Sequence, residues 1–322
     1  MLVKQIFFIT LRKRIFKNTL MSVKVDNLSK SYGANLAVDN ISFEVRQGEI
    51  VGFLGPNGAG KITTMKIITG CIASDGGKVF INNEDAAENM ERLKNQIGYL
   101  PENNPLYLNM YVKEYLEYSA RIYMPNSQVK KAVDNAIEAV GLGEHQYKKC
   151  GELSKGYRQR TGLARAMVHN PSILILDEPT TGLDPNQILE IRDLIKRLGQ
   201  EKTVILSTHI MQEAEAVCNR AVIICKGKIV ADDTLQNLRA AGNSSTVSVE
   251  FNINPDSSLL QTAFGEGNVS TNEGIWQITS PDGKDIRENV FDFAIANKLK
   301  ILTLSQNKNS LEKIFRDLTQ QV

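Results

Sequence analysis

The stretch IVGFLGPNGAGKITTMKIITG, residues 50–70, joins a continuous apolar run, a glycine-rich turn and a helical pattern. It fits the phosphate-loop pattern G-x-x-x-x-G-K-[ST] except at the last position, where Ile62 replaces the hydroxyl residue. Glycines in such a turn let backbone N–H groups point at phosphate oxygens, and the following helix adds a favourable dipole. Lys61 would neutralise phosphate charge. The order strand, loop, helix therefore predicts a phosphate site that lacks one metal ligand.

Apolar patterns in the rest of the chain predict an α/β fold. VKVDNL, ISFEV and KVFI alternate apolar and polar residues, as half-buried antiparallel strands do, whereas IVGFLG, SILILD and TVILST are continuous apolar runs typical of parallel strands covered on both faces. Between about 105 and 169 the periodicity is helical only. We expect a parallel core sheet with an antiparallel subdomain and a helical insertion, together forming one domain over residues 22–240.

A separate pattern of predicted strands and helices begins after the linker AAGNSS. TVSVEF, IWQITS and ILTLSQ are typical of strands, and ENVFDFAIANKL and SLEKIFRDLTQ are typical of helices. We expect a small C-terminal α+β accessory domain over residues 245–322. It contains no motif that points to chemistry.

Composition and charge exclude several classes of protein. The 322 residues are 42% hydrophobic and 23% charged, as in soluble globular proteins, and the net charge is +2. Because residues 1–20 carry five basic residues and no acidic one, the rest is net acidic, which argues against nucleic-acid binding. Four widely spaced cysteines predict neither a disulfide framework nor a zinc site. This cysteine usage predicts a reducing, cytosolic interior. No apolar run is long enough for the chain to span a membrane by itself.

The N-terminal stretch MLVKQIFFITLRKRIFKNTL is basic and apolar. We expect residues 1–21 to be an extension that arises from a start assigned upstream of Met21, where the strand pattern begins. An amphipathic anchor on a membrane surface is the alternative.

A second motif places two acidic residues at the end of an apolar strand. SILILDEPTTGLD, residues 172–184, carries Asp177 and Glu178 at that end. Asp177 is suited to hold Mg²⁺, and Glu178 to polarise a water molecule that attacks a phosphate. This pair makes the phosphate loop a credible nucleotide site.

The motifs resemble those of ABC-transporter ATP-binding subunits, from residue 22 to about 235. LSKGYRQR, residues 153–160, is similar to the family signature that holds the γ-phosphate of ATP bound by the opposite subunit, and Ser154 and Gly156 match it. Lys155 and Tyr157 replace a commoner glycine and glutamine, as in the exporter branch. The resemblance therefore implies an ABC cassette and an ATPase.

Further family positions give residue roles. His209, in LSTHI, matches the switch histidine that bonds to the γ-phosphate, so the resemblance implies Glu178 and His209 as catalytic residues. Glu102, in IGYLPENN, stands where the family usually has a glutamine that reaches toward Mg²⁺; with Asp177 it is the implied metal ligand. Tyr32 matches the aromatic residue that stacks on adenine, and Asp184 the residue that connects the two sites of a dimer. The implied ATP contacts are Tyr32, Gly55, Pro56, Asn57, Gly58, Ala59, Gly60, Lys61, Ile62, Thr63, Thr64, Glu102, Ser154, Gly156 and Asp184.

The resemblance also implies partners and a location. ATP and Mg²⁺ would bind a head-to-tail dimer, homomeric or heteromeric, docked on separate transmembrane permease subunits, with no nucleic acid. The chain would be cytoplasmic and peripheral on the inner face of the cell membrane. FLGPNGAGK, IGYLPENNPLY, LSKGYRQR and SLEKIFRDLTQ are most similar to the gliding-motility-associated ATP-binding subunit. The cargo path would lie in the permease subunits.

Ile62 leaves three explanations open: a sequencing or assembly difference, a lesion of the lineage, or a deliberately slow subunit. We expect weakened Mg·ATP binding and reduced hydrolysis, because a branched hydrocarbon replaces an oxygen ligand. The leading hypothesis is an ATP-hydrolysing subunit of a membrane exporter. The alternative is a nucleotide-gated regulatory clamp that hardly hydrolyses. A soluble ABC protein of translation or DNA repair is disfavoured, since neither two cassettes nor a long coiled coil is present.

Overall fold

The computed structural model describes residues 21–241, 245–265, 267–272, 274–280, 284–307 and 311–320. Residues 1–20, and with them the predicted N-terminal extension up to Met21, lie outside the described residues. The chain divides into two compact units between Asp232 and Asp233. This division comes earlier in the chain than the expected domain end at residue 240.

Two sheets form the first unit. Their strands are β1 Met21–Tyr32, β2 Asn35–Arg46, β3 Ile50–Leu54, β4 Gly76–Ile81, β5 Glu84–Asp85, β6 Ile97–Leu100, β7 Ile173–Asp177, β8 Thr203–Thr208, β9 Arg220–Cys225 and β10 Lys228–Thr234. Four of them form an antiparallel sheet in the order β2-β1-β4-β5, and six form a sheet in the order β10-β9-β3-β8-β7-β6, in which β3 pairs in parallel with β8 and β9. All five residues of β7 are buried, whereas β1 alternates, so the two hydrophobic patterns separate the two sheets as predicted.

Seven helices accompany these strands in the described part of the first unit. They are α1 Lys61–Ile68, α2 Ala86–Leu93, α3 Val112–Ala120, α4 Asn126–Val140, α5 Lys155–Met167, α6 Pro185–Gly199 and α7 Met211–Val217. Helices α3, α4 and α5 lie between β6 and β7, where residues 101–172 form no strand and make only one isolated bridge, Tyr111 to Lys149. None of the described helices is both long and apolar enough to cross a membrane.

A single apolar core joins the two sheets to helix α1. It combines Val25 and Phe43 of the antiparallel sheet, Phe53 and Ile175 of the parallel sheet, and Met65 of α1. The rings of Phe43 and Phe53 lie 5.2 Å apart. The glycine-rich loop between β3 and α1 is therefore held at both ends by buried elements.

The second unit has its own sheet and its own core. The sheet order is β12-β13-β11-β14, with antiparallel pairing throughout. Val249, Trp276 and Val290 are among its core residues. The α+β class expected for the C-terminal region is thus observed. Its elements are α8 Leu235–Ala241, β11 Ser245–Phe251, α9 Ser257–Phe264, β12 Val269–Asn272, β13 Ile275–Ser280, α10 Arg287–Ala296, β14 Ile301–Asn307 and α11 Leu311–Gln320.

Candidate nucleotide-binding site

The loop between β3 and α1 needs glycine for two physical reasons. Gly58 and Gly60 have φ angles of 79° and 109°, in the left-handed region that side chains rarely adopt. A Cβ on Gly60 would lie 2.5 Å from the Ala37 carbonyl oxygen, and one on Gly55 would lie 2.5 Å from the Ile224 carbonyl oxygen. The loop therefore packs its backbone directly against neighbouring strands, as a phosphate cradle requires.

Lys61 lies inside this loop and faces the acidic side of the sheet. Its Nζ donates to the carbonyl oxygens of Gly55 at 2.7 Å and Pro56 at 3.2 Å, and it lies 3.8 Å from Glu178 Oε1. Burial lowers the pKa of Lys61, and the nearby carboxylates of Glu178, Asp177 and Glu102 oppose that shift. The lysine thus connects the phosphate loop to the carboxylates.

The first turn of α1 presents hydrocarbon where a hydroxyl is expected. Ile62 is 40% exposed although it is a large apolar residue. Thr63 is half-buried, and Thr64 is buried with its hydroxyl donating to the Gly60 carbonyl at 2.9 Å. The hydroxyl of Thr64 is therefore committed to the helix and does not substitute for the one missing at Ile62. The ATP contact expected at Thr64 stays a prediction.

Asp177 is a buried carboxylate at the carboxyl end of β7. It is 1% exposed, and neither of its oxygens has a hydrogen-bond partner of acceptable geometry among the described residues. Burial raises its pKa to about 6; Glu178 and Glu102 add to this shift, while the nearby Ser207 hydroxyl and Lys61 oppose it. Two unsatisfied buried oxygens next to an acidic residue are an arrangement that a bound cation would stabilise.

Glu178 follows directly in an unusual backbone conformation. Its φ of 48° is in the left-handed region although it is not glycine, and its N–H donates to the Ser207 carbonyl at 2.9 Å. Glu178 Oε1 lies 2.8 Å from His209 Nδ1. Such backbone strain costs roughly 1–3 kcal/mol and persists only where the surroundings enforce it. The pairing of β7 with β8 therefore brings Glu178 and His209 together.

The fit of Mg²⁺ follows from the donor set. No group of three or more His, Cys, Asp or Glu among the described residues is arranged to hold a metal by itself. Magnesium is usually bound through one or two carboxylates together with water and substrate phosphates. The two unpartnered oxygens of Asp177 fit that role, and the exposed Glu102, in the loop after β6, is close enough to influence Asp177.

The signature residues lie on the helical insertion and its neighbour. Ser154 is the N-cap of α5, where its hydroxyl accepts from the Tyr157 N–H at 3.5 Å, and Asp184 is the N-cap of α6, where its side chain accepts from the Gln187 N–H at 2.9 Å. Gly156 lies beneath the Gln187 side chain. Within one chain no hydrogen bond or ion pair between described residues joins Ser154 to Lys61, Asp177 or Glu178.

Tyr32 is separate from the sheet edge that carries the carboxylates. It ends β1 and is 52% exposed, and Lys30 Nζ lies 5.9 Å from the centre of its ring. An exposed aromatic face is the geometry that stacking on a base requires.

Sequence reasoning missed a set of buried polar residues behind the carboxylates. Glu213, on α7, accepts hydrogen bonds from the hydroxyls of Thr180 and Thr208. The hydroxyl of Thr208 also lies 3.4 Å from Glu178 Oε2. The available signal was an acidic residue at apolar helical spacing among Met211, Ala214 and Val217, all of which are buried.

Comparisons with known proteins agree with this geometry. A family model described as ABC transporter matches residues 38–181, and a model described as an AAA domain matches residues 149–214. The bacitracin transport ATP-binding protein BcrA of Bacillus licheniformis is 33% identical over 299 residues, covering 91% of this chain and 95% of that protein. The linearmycin resistance ATP-binding protein LnrL of Bacillus subtilis (strain 168) is 30% identical over 305 residues, covering 92% of this chain and 98% of that protein.

Solved structures give the same result for the fold. CbiO1 of Clostridium perfringens, part of the ABC transporter complex cbiONQ, has a TM-score of 0.63 at 27% identity and covers 69% of this chain and 91% of its own. A dimeric ATP-binding cassette in a post-hydrolysis state, bound to ADP and Pi, has a TM-score of 0.61 at 26% identity and covers 66% of this chain and 98% of its own. The chain therefore belongs to the ATP-binding subunits of ABC transporters and is an ABC-cassette ATPase.

Proposed function

We propose that this subunit powers a membrane exporter by ATP-driven dimerisation and hydrolysis. ABC ATP-binding subunits dimerise and work with transmembrane permeases, and two relatives are named for bacitracin transport and linearmycin resistance. The observation that carries the proposal is the cluster of Lys61, Glu178 and His209, with distances of 3.8 Å and 2.8 Å between neighbours, beside the unpartnered Asp177. The cluster brings together a phosphate-binding cation, a base and its hydrogen-bond partner.

The residues divide the chemistry among them. The phosphate loop and Lys61 hold the β- and γ-phosphates, and Glu178 accepts the proton of the attacking water, while His209 orients Glu178 and reaches the γ-phosphate. Mg²⁺, when bound by Asp177 and Glu102, supplies charge stabilisation to the phosphates. Ser154, Gly156 and Asp184 act on ATP bound by the second subunit. Among the described residues Ser154 makes no hydrogen bond to Lys61, which supports a site completed by a second chain.

The partners and location form part of the same proposal. The chain docks on separately encoded permease subunits from the cytoplasmic side and is peripheral on the inner face of the membrane. The gliding-motility branch rests on FLGPNGAGK, IGYLPENNPLY, LSKGYRQR and SLEKIFRDLTQ. Deleting the gene in its own host tests that branch: colony spreading should be lost, and normal spreading would contradict it.

Ile62 supports a second candidate, a regulatory clamp that closes on ATP and hardly hydrolyses it. The exposed hydrocarbon removes an oxygen ligand and also crowds the water that could replace it. If the subunit is such a clamp, its fold and its dimer contacts stay intact, and a catalytically complete partner subunit hydrolyses the ATP.

Mg²⁺-dependent phosphate release by the purified full chain distinguishes the two functions. Ile62→Thr and Ile62→Val form a matched pair, since their side chains have nearly the same shape and only threonine carries a hydroxyl; Ile62→Ser is the third variant. We expect serine and threonine to raise hydrolysis on the order of 10- to 100-fold and valine to leave it low. Equal rates in all four proteins would show that another ligand replaces the hydroxyl. If all four bind ATP and none hydrolyses it, the clamp is the better account.

A further inference from the structure

Glu213 is a buried carboxylate that the proposed chemistry does not use. It lies on α7 and is 1% exposed. Its Oε1 accepts a short hydrogen bond from the Thr180 hydroxyl, and its Oε2 accepts from the Thr208 hydroxyl at 3.0 Å. No lysine or arginine among the described residues forms an ion pair with it. The two threonine hydroxyls are therefore the groups that satisfy its charge.

Burial of the carboxylate fixes which group donates and which group accepts in these two hydrogen bonds. An ionised carboxylate only accepts, and leaving it buried without donors is costly. A threonine hydroxyl has one proton, so each threonine must turn that proton toward Glu213. The carboxylate thereby fixes the orientation of both hydroxyls.

The two threonines belong to different loops. Thr180 follows Glu178 in the loop that leads to Asp184, and its carbonyl accepts from the Leu183 N–H at 3.2 Å. Thr208 ends β8 directly before His209, and its Oγ1 accepts from the Ile210 N–H at 3.1 Å. One side chain on α7 therefore links the loop that carries Asp184 to the loop that carries His209.

The hydroxyl of Thr208 has two carboxylates within reach. Its Oγ1 lies 3.0 Å from Glu213 Oε2 and 3.4 Å from Glu178 Oε2. Because the hydroxyl has only one proton and Glu213 is nearer, the hydroxyl donates its hydrogen bond to Glu213. Glu178 Oε2 is then left as a free acceptor, as proton transfer from water requires.

We propose that Glu213 is a positioning residue: it accepts hydrogen bonds from the hydroxyls of Thr180 and Thr208, which holds the Asp184 and His209 loops together and keeps Glu178 Oε2 available to the attacking water. The second half of this inference rests on the proposed hydrolytic function. The first half concerns the fold of the nucleotide-free chain and is measurable without turnover.

Hydrolysis tests the effect on Glu178. In the full chain with Ile62→Ser, we expect Glu213→Gln to lower kcat roughly 10- to 100-fold with KM changed less than about threefold, because only the positioning of the reacting groups is lost. Glu215→Gln, on the same helix and outside these bonds, is the matched control and should leave kcat unchanged. An unchanged kcat in Glu213→Gln would overturn this half of the inference.

A double variant separates positioning from general support of the fold. Adding Thr208→Val to Glu213→Gln removes the hydroxyl that would otherwise donate to Glu178, so we expect part of the lost kcat to return. A lower kcat in the double variant than in Glu213→Gln would mean that Glu213 is only structural. Thr180→Ser should retain activity and Thr180→Val should reduce it, which keeps the test available if Glu213→Gln does not fold.

Amide hydrogen exchange tests the link between the loops, with native Ile62 and without nucleotide. We expect Glu213→Gln and Thr180→Val to speed exchange at residues 178–184 and at 208–211 together, by about tenfold or more, with no change in Glu215→Gln. Faster exchange in one loop alone, or in neither, would overturn the link. If Ile62→Ser does not hydrolyse ATP while both loops exchange faster, the proposed function fails and the link stands.

Discussion

The nucleotide site has two sides that differ in how deeply they are built into the fold. On the α1 side, Ile62 is 40% exposed and the loop acts through backbone groups. On the side of β7 and β8, Asp177, Glu178 and Glu213 are 1%, 4% and 1% exposed, and Glu178 and Glu213 make hydrogen bonds to neighbouring segments. The difference teaches that position 62 can lose its chemistry without disturbing the fold, whereas a change among the carboxylates alters chemistry and packing together.

The largest effect is expected at Glu178. In an Ile62→Ser chain, Glu178→Gln removes the base and should lower hydrolysis by about 10²- to 10⁴-fold, while ATP binding persists. Phosphate release and ATP titration calorimetry measure the two quantities, with Glu201→Gln as an exposed control. Substantial hydrolysis by Glu178→Gln would mean that the carboxylate side is not the catalytic side.

Asp177 gives a pH-dependent effect on stability. Its pKa is raised from 3.8 to about 6, so the folded metal-free protein is destabilised as pH rises between these values, when the unfolded carboxyl has already ionised. At pH 8 the full cost of about 3 kcal/mol is present, from about 1.36 kcal/mol per pKa unit. Asp177→Asn should therefore stabilise the metal-free chain at pH 8 and have little effect near pH 4.

Urea unfolding with a chelator present, at both pH values, measures this difference. Asp193→Asn, an exposed aspartate on α6, is the control and should change stability little at either pH. The same gain for Asp177→Asn at both pH values would show that burial of charge is not the cause. Adding Mg²⁺ with nucleotide should reduce the advantage of the asparagine variant.

Tyr32 should have a moderate effect on the α1 side of the site. Stacking on a base contributes about 1–3 kcal/mol, so Tyr32→Ala should weaken ATP binding about tenfold, while Tyr32→Phe keeps the ring and the affinity. Calorimetric titration with ATP measures both. Equal affinities for alanine and phenylalanine would remove the ring from the adenine contact.

The smallest effect is the stability change caused by Ile62→Ser itself. Isoleucine and serine have similar helix propensities, and the position is exposed, so the free energy of unfolding should change by less than about 0.5 kcal/mol. Urea unfolding of the two proteins measures it. A loss above about 1 kcal/mol would mean that Ile62 packs into the fold, and the contrast between the two sides would be weaker than proposed.

Local patterns predicted the fold well and picked out the residues of the candidate site. The loop at residues 55–60 and the strand ending at Asp177 are marked by glycine spacing and by continuous apolar runs, and both follow from the geometry of single elements. Parallel neighbours end at one edge of a sheet, so the sequence placed His209 at the ligand-binding edge, but its contact with Glu178 came only from the structure. The C-terminal α+β region was likewise predicted from the strand and helix patterns of single elements.

Contacts between distant segments were beyond the sequence patterns. Glu213 bonds to Thr180, which lies 33 positions earlier in the chain, and only the packing of α7 behind β8 brings them together. The hydrogen bond from the Thr64 hydroxyl to the Gly60 carbonyl depends on the side-chain rotamer of Thr64, which the sequence pattern does not predict. The unit boundary at Asp232 was likewise not indicated by the composition around residue 240.

The left-handed backbone at Glu178 has a consequence for the history of the chain. Glycine or asparagine would adopt this φ more easily, so the fold alone would favour either one at position 178. A lineage released from hydrolysis would gain stability by drifting to such a residue. Position 178 carries glutamate in spite of a backbone cost of roughly 1–3 kcal/mol, which is the pattern expected of a residue kept for the proposed hydrolysis.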